Sequence, residues 1–151
     1  MVTTSWAWRW HQHRRSRRPE HGEAAAGVNT RIAALVGALF GASGVILGAF
    51  GAHALRSRLE PRDLEVFETA VRYQMYHAFA MLAAAWLLSR NAPWAGAAAW
   101  AFIAGVIVFS GSLYLLVASG QRWLGAVTPI GGLALIAGWL LLALAAFKTP
   151  A

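Results

Sequence analysis

The chain has 151 residues, 58% hydrophobic and only 13% charged, with a formal charge of +7, a pI near 11.3 and a mean hydropathy of +0.50. A soluble domain carries about 25% charged residues, so most of this surface does not face water. The basic excess, which in a soluble protein would point to nucleic acid, stands ahead of long apolar stretches; no nucleic-acid partner is expected, and a role at anionic lipid takes its place.

Residues 1–30 read as a disordered basic arm, in which Arg9, Arg14, Arg15, Arg17 and Arg18 mix with His and Trp without an apolar period. The Arg14-Arg15 and Arg17-Arg18 pairs do not make a twin-arginine signal, because Pro19-Glu20-His21 stands where such a signal places apolar residues. Residues 31–148 form the second unit, a four-span membrane domain. No Asp, Glu, Lys or Arg occurs in 32–55, 73–89, 91–121 or 123–147. A helix needs roughly 17–25 apolar residues to cross a bilayer core of about 30 Å. The expected spans are therefore 32–54, 73–89, 94–118 and 123–147, the second being the shortest.

In the first span Gly37, Gly41, Gly44, Gly48 and Gly51 alternate at spacings of four and three, which draws one stripe along a helix. Small residues in register let a neighbouring backbone come close in lipid. They predict helix packing, against another helix of this chain or against a second copy. Ala52-His53-Ala54 resembles a signal-peptidase site, yet the apolar segment from Ile32 exceeds the 7–15 residues of a signal h-region, so a retained helix is expected.

Residues 56–72 hold four of the six acids. Pro61 fits a first helical position, and Leu64, Phe67 and Val71 recur at helical spacing. This predicts a short amphipathic helix between spans one and two, with a Glu68–Arg72 pair at i,i+4. Asn91-Ala92-Pro93 turns into the third span and Gly120-Gln121-Arg122 into the fourth, whose start Pro129 and Gly131-Gly132 should loosen. Trp86, Trp94 and Trp123 sit near span ends, as interfacial anchors do. The fold class is thus all-α, an integral membrane four-helix bundle.

Polar residues inside the spans gather toward one end. His53 closes the first span; Tyr73, Gln74, Tyr76 and His77 open the second; Ser110, Ser112 and Tyr114 lie late in the third and Thr128 early in the fourth. They form either a shallow binding site or an interhelical hydrogen-bond network, with pairs of about 0.6–2 kcal/mol each. The two histidines alone do not make a metal or haem site, since no third ligand or spacing motif accompanies them. The chain has no cysteine, which removes disulfides, thiolate metal sites and thiol catalysis. Ser110 and Ser112 have no acid within the spans to complete a triad, and no paired carboxylates exist. No metal, cofactor or catalytic residue is expected.

The segments Leu47-Gly-Ala-Phe-Gly-Ala-His-Ala-Leu55, Phe67-Glu-Thr-Ala-Val-Arg-Tyr-Gln-Met-Tyr-His77, Phe109-Ser-Gly-Ser-Leu-Tyr-Leu115 and Thr128-Pro-Ile-Gly-Gly132 through Gly138-Trp139 occur together and in order. This pattern, over about residues 31–147, resembles the YgdD-like family of small inner-membrane proteins, domain of unknown function 423, whose animal relatives are called transmembrane protein 256. The resemblance implies a multi-pass protein of the bacterial inner (plasma) membrane and brings no activity, ligand or catalytic residue with it. Members of that family start just before the first span, so residues 1–27 look like an addition. Val28 precedes Asn29-Thr30-Arg31, and GTG, a valine codon, initiates translation in bacteria. The native chain is expected to begin near Val28, or else to carry a genuine basic arm at the anionic leaflet.

Orientation follows from the basic residues beside the spans. The side of the termini carries Arg9, Arg14, Arg15, Arg17, Arg18, Arg31, Arg90 and Lys148; the other side carries Arg56, Arg58, Arg62, Arg72 and Arg122. Both termini are expected in the cytoplasm, and a start near Val28 reverses that preference. The functional expectation is a non-enzymatic membrane protein that acts by helix packing or by binding a partner or lipid. Membrane lipids are the expected partners, and self-association and a small-molecule ligand stay open. The alternative is a small oligomeric transporter or channel, against which the spans offer no carboxylate.

Overall fold

The computed structural model describes residues 21–149; the arginine-rich stretch 1–20, the larger part of the expected arm, lies outside the described residues. Regular structure among the described residues is helical throughout. Four long helices follow one another: α1 (His21–Phe50), α2 (Pro61–Ser89), α3 (Ala95–Ser119) and α4 (Thr128–Lys148). A π-helical turn, Gly51–Leu55, prolongs α1, and a 3-10 turn, Arg122–Ala126, precedes α4. Residues 21–30, expected within the disordered arm, are the first turns of α1.

The separate amphipathic helix does not exist as such. Residues 61–72 and the expected second span are one uninterrupted helix, α2. Beyond Pro61 no proline or glycine occurs before its end. The buried positions Phe67, Ala70, Gln74, His77, Ala78, Met81, Ala84 and Ala85 keep one helical phase across the expected boundary. Pro61 takes the first turn, where its missing N–H costs nothing. The fourth helix starts at Thr128 rather than 123, because Pro129 likewise selects the first turn and pushes residues 122–126 into the tighter 3-10 form.

Among the described residues three stretches are long and apolar enough to cross a membrane: Thr30–Leu55, Ala95–Ser119 and Arg122–Lys148. The expected span at 73–89 is not among them, because Arg72, Tyr73, Gln74, Tyr76 and His77 dilute its apolar character. Those polar residues sit on the helix with the most central place. α2 packs against both α1 and α3, α3 packs against α4, and α1 and α4 do not touch. The four helices thus form an open, staggered row rather than a closed bundle.

Glycine sets the spacing of the two outer pairs. All five stripe glycines, four in α1 and Gly51 in the π-helical turn after it, face α2. A Cβ at Gly37 would lie 3.2 Å from the Ala78 carbonyl oxygen, at Gly48 3.4 Å from Val71 Cγ1, and at Gly51 3.0 Å from the Phe67 ring. Between α3 and α4 the match is knob to notch: Phe109 sits on Gly131, Leu135 in Gly105, and Phe102 on Gly138. The α2–α3 interface is different in kind. It carries the Ser110 hydroxyl donating to the Ala70 carbonyl at 2.9 Å and a stacked Tyr73–Phe109 pair at 4.4 Å.

At the end where α1 finishes and α2 begins, Arg122 donates two hydrogen bonds to Asp63, at 2.7 and 3.3 Å. Arg122 is 58% exposed, so this pair contributes at most about 1 kcal/mol. The Glu68–Arg72 pair does not form; Arg72 donates to the Thr69 hydroxyl at 3.1 Å instead. At the opposite end Trp94 takes a left-handed conformation (φ 70°) after Asn91 (φ 55°), a costly conformation for a bulky residue that turns the chain sharply into α3. Arg90 lies over the Trp86 ring at 5.5 Å.

Candidate functional site

The polar residues expected as one cluster divide into three groups, with Ser110 apart from them on the Ala70 carbonyl. The first is centred on Gln74, only 5% exposed. Its Nε2 donates to the Phe40 carbonyl at 2.8 Å and to Ser43 Oγ at 2.9 Å, and its Oε1 accepts from the Tyr114 hydroxyl at 3.0 Å. One side chain thus ties α1, α2 and α3 together. Ser43 was not singled out in the sequence; the sign available was a hydroxyl on the glycine stripe, next to Gly44. The second group joins Ser112 to Thr128 at 2.8 Å, which links α3 to the start of α4. Both groups are structural: their polar atoms satisfy one another, and burial costs little once each donor has an acceptor.

The third group forms a surface that can receive something else. Tyr73, Tyr76 and His77 of α2, Phe109 of α3, and Gly132, Leu135, Ile136 and Trp139 of α4 enclose a groove of about 490 Å³. It exists because α2 and α4 barely meet while both pack on α3. His77 closes its floor. The ring Nδ1 lies 2.6 Å from the Tyr73 carbonyl oxygen, and Nε2 accepts from the Trp139 indole N–H at 3.2 Å. This pattern requires the neutral ring with its proton on Nδ1, since an Nε2–H would oppose the indole donor. Phe102 stands edge-on to Trp139 at 5.5 Å and holds that indole in place.

The Tyr73 and Tyr76 hydroxyls have no hydrogen-bond partner among the described residues, and the two side chains are 40% and 58% exposed. The groove therefore has aromatic and aliphatic walls, a satisfied floor and two free phenol groups on the α2 wall. It runs from the first turn of α4, at Gly132, toward the middle of that helix at Trp139, about 10 Å at 1.5 Å per residue. Around it Phe79, Leu133 and Leu140 are exposed, so it opens onto an apolar surface.

His53 joins none of these groups; it is exposed in the π-helical turn after α1. No group of three His, Asp or Glu side chains capable of holding a metal occurs among the described residues. His77 would have to surrender Trp139 to ligate anything through Nε2. Leu135, Ile136, Phe109 and Trp139 were missed as site residues. The aromatic motif residues Phe109 and Trp139 were visible in the sequence, but their convergence needs the α3–α4 register.

The sequence profile of DUF423, described as a protein of unknown function, matches residues 47–132. The chain is 46% identical over 117 residues to a UPF0382 membrane protein of Staphylococcus haemolyticus, covering 76% of this chain and 93% of that one. It is 40% identical over 116 residues to the UPF0382 membrane protein YwdK of Bacillus subtilis, covering 76% and 94%. No solved structure matches it.

Proposed function

The chain belongs to the DUF423 family of membrane proteins, and from that premise we propose that it is a multi-pass, non-enzymatic protein of the bacterial plasma membrane whose α2–α4 groove holds an amphiphile. All four long helices cross the bilayer in this reading, α2 included. Its buried polar residues, Gln74 and His77, are tolerated because they bond to other helices, as intramembrane polar groups do. The observation that carries the reading is the groove itself. Its walls suit a hydrocarbon chain entering sideways from the bilayer, and the Tyr73 and Tyr76 hydroxyls are free to donate to an ester, phosphate or hydroxyl at the ligand's polar end.

Filling the groove tests this. Ile136 lines it and is 58% exposed, so Ile136→Trp occupies the space without invading the packed core. Wild-type protein purified in mild detergent is expected to carry a bound amphiphile, seen as a mass adduct in native mass spectrometry. The Ile136→Trp protein is expected to carry one bound amphiphile fewer than the wild type, at an unchanged melting temperature. An adduct of equal occupancy in both proteins would place the ligand elsewhere and end the groove assignment.

A further inference from the structure

A second hollow, of about 210 Å³, lies on the other side of α2, between it and the end of α1. Gly48 and Gly51 form its floor, Phe67 and Val71 its apolar wall, and Glu68 and Arg72 its rim. Two features keep it open. The glycines place no side chain in it, and at Gly51 the backbone enters the wide π-helical turn, a form that recurs at functional sites. The rim charges are available. Glu68 has no ion-pair partner among the described residues, and Arg72 meets only the Thr69 hydroxyl.

We propose that this hollow binds the headgroup of a zwitterionic phospholipid, a phosphate carrying a short aminoalkyl group, with Arg72 on the phosphate and Glu68 on the ammonium. The inference rests on the reading that α2 enters the bilayer from its Pro61 end. Glu68 then stands one helical turn, about 6 Å, nearer the water than Arg72. In a phospholipid of this class the phosphate is tied to the glycerol on the membrane side, and the ammonium lies outside it. The order of charges along α2 therefore matches the order of charges in the lipid. A guanidinium takes a phosphate through paired N–H donors, and a carboxylate takes a primary ammonium, both as charge-assisted bonds. An anionic headgroup without an amine satisfies Arg72 and leaves Glu68 facing negative charge.

The test is native mass spectrometry of the full-length protein with equimolar phosphatidylethanolamine and phosphatidylglycerol of identical chains. Wild-type protein is expected to retain the ethanolamine lipid about tenfold better, the scale of one charge-assisted contact. Glu68→Gln should remove the preference. The double variant Glu68→Arg with Arg72→Glu keeps both charges and reverses their order, and it should also lose the preference while melting normally. Equal retention of the two lipids by the wild type overturns the headgroup site, as does an undiminished preference in the reversed variant. Displacement by free phosphoethanolamine at matched concentration overturns the lipid as its source. Failure to retain any lipid, phosphatidylglycerol included, counts against the membrane reading beneath it and so is distinguishable from failure of this site.

Discussion

Replacing Gly131 by alanine is expected to lower stability by roughly 1–3 kcal/mol, the range for forced overpacking, whereas the same change at Gly132 should be close to neutral. The two glycines are neighbours in the first turn of α4, yet they meet α3 differently. A Cβ on Gly131 would fall 2.7 Å from Phe109 Cα and 2.8 Å from its Cβ, so it meets backbone that cannot rotate away. A Cβ on Gly132 would lie 3.8 Å from the Phe109 ring, an ordinary contact. Alanine also favours a helix by up to about 1 kcal/mol over glycine, which offsets part of the cost at Gly131 and can make Gly132→Ala slightly stabilising. Unfolding in mixed micelles, followed by loss of helical signal, measures both. Equal effects at the two positions would mean that α4 does not sit on Phe109 as described.

The second large effect is expected at Gln74. Its three hydrogen bonds reach α1 and α3, and interhelical bonds in lipid average about 0.6 kcal/mol with a maximum near 1.7. Gln74→Leu should therefore cost about 2–4 kcal/mol, since it also leaves the Tyr114 hydroxyl without its acceptor. Tyr114→Phe should cost about 1 kcal/mol by the same scale. The double variant should lose less than the sum of the two, by roughly 0.6–1.7 kcal/mol, because only one bond is shared. Additivity within about 0.3 kcal/mol would show that Gln74 and Tyr114 act independently.

The glycine stripe of α1 could be read from the sequence because spacings of four and three define a face within one helix. Its partner could not, since that needs the register of a second helix. The same limit hid the α3–α4 interlock. Gly131 and Gly138 are a heptad apart, as are Phe102 and Phe109, but large meets small only when the helices run antiparallel in one register. For the polar residues, counting rise per residue groups them toward one end, and it says nothing about direction around the axis. Gln74 and His77 are three residues apart and point about 60° away from each other at 3.6 residues per turn. One consequently reaches α1 and α3 while the other reaches Trp139 of α4. The continuity of α2 was obscured by its charges: Arg62, Asp63, Glu65, Glu68 and Arg72 read as a surface segment, although the buried phase runs through them unbroken.

The groove and the headgroup hollow both depend on α2 crossing the bilayer. Because the chain has no cysteine, single cysteines report cleanly on this. Ser57, between α1 and α2, and Pro93, between α2 and α3, are both exposed. Ser57→Cys and Pro93→Cys should be labelled by a membrane-impermeant maleimide from opposite sides of the membrane. With the termini in the cytoplasm, position 57 reacts in intact cells and position 93 only after lysis. Labelling of both positions from the same side would mean that α2 does not cross, and the account of its two faces would fail with it.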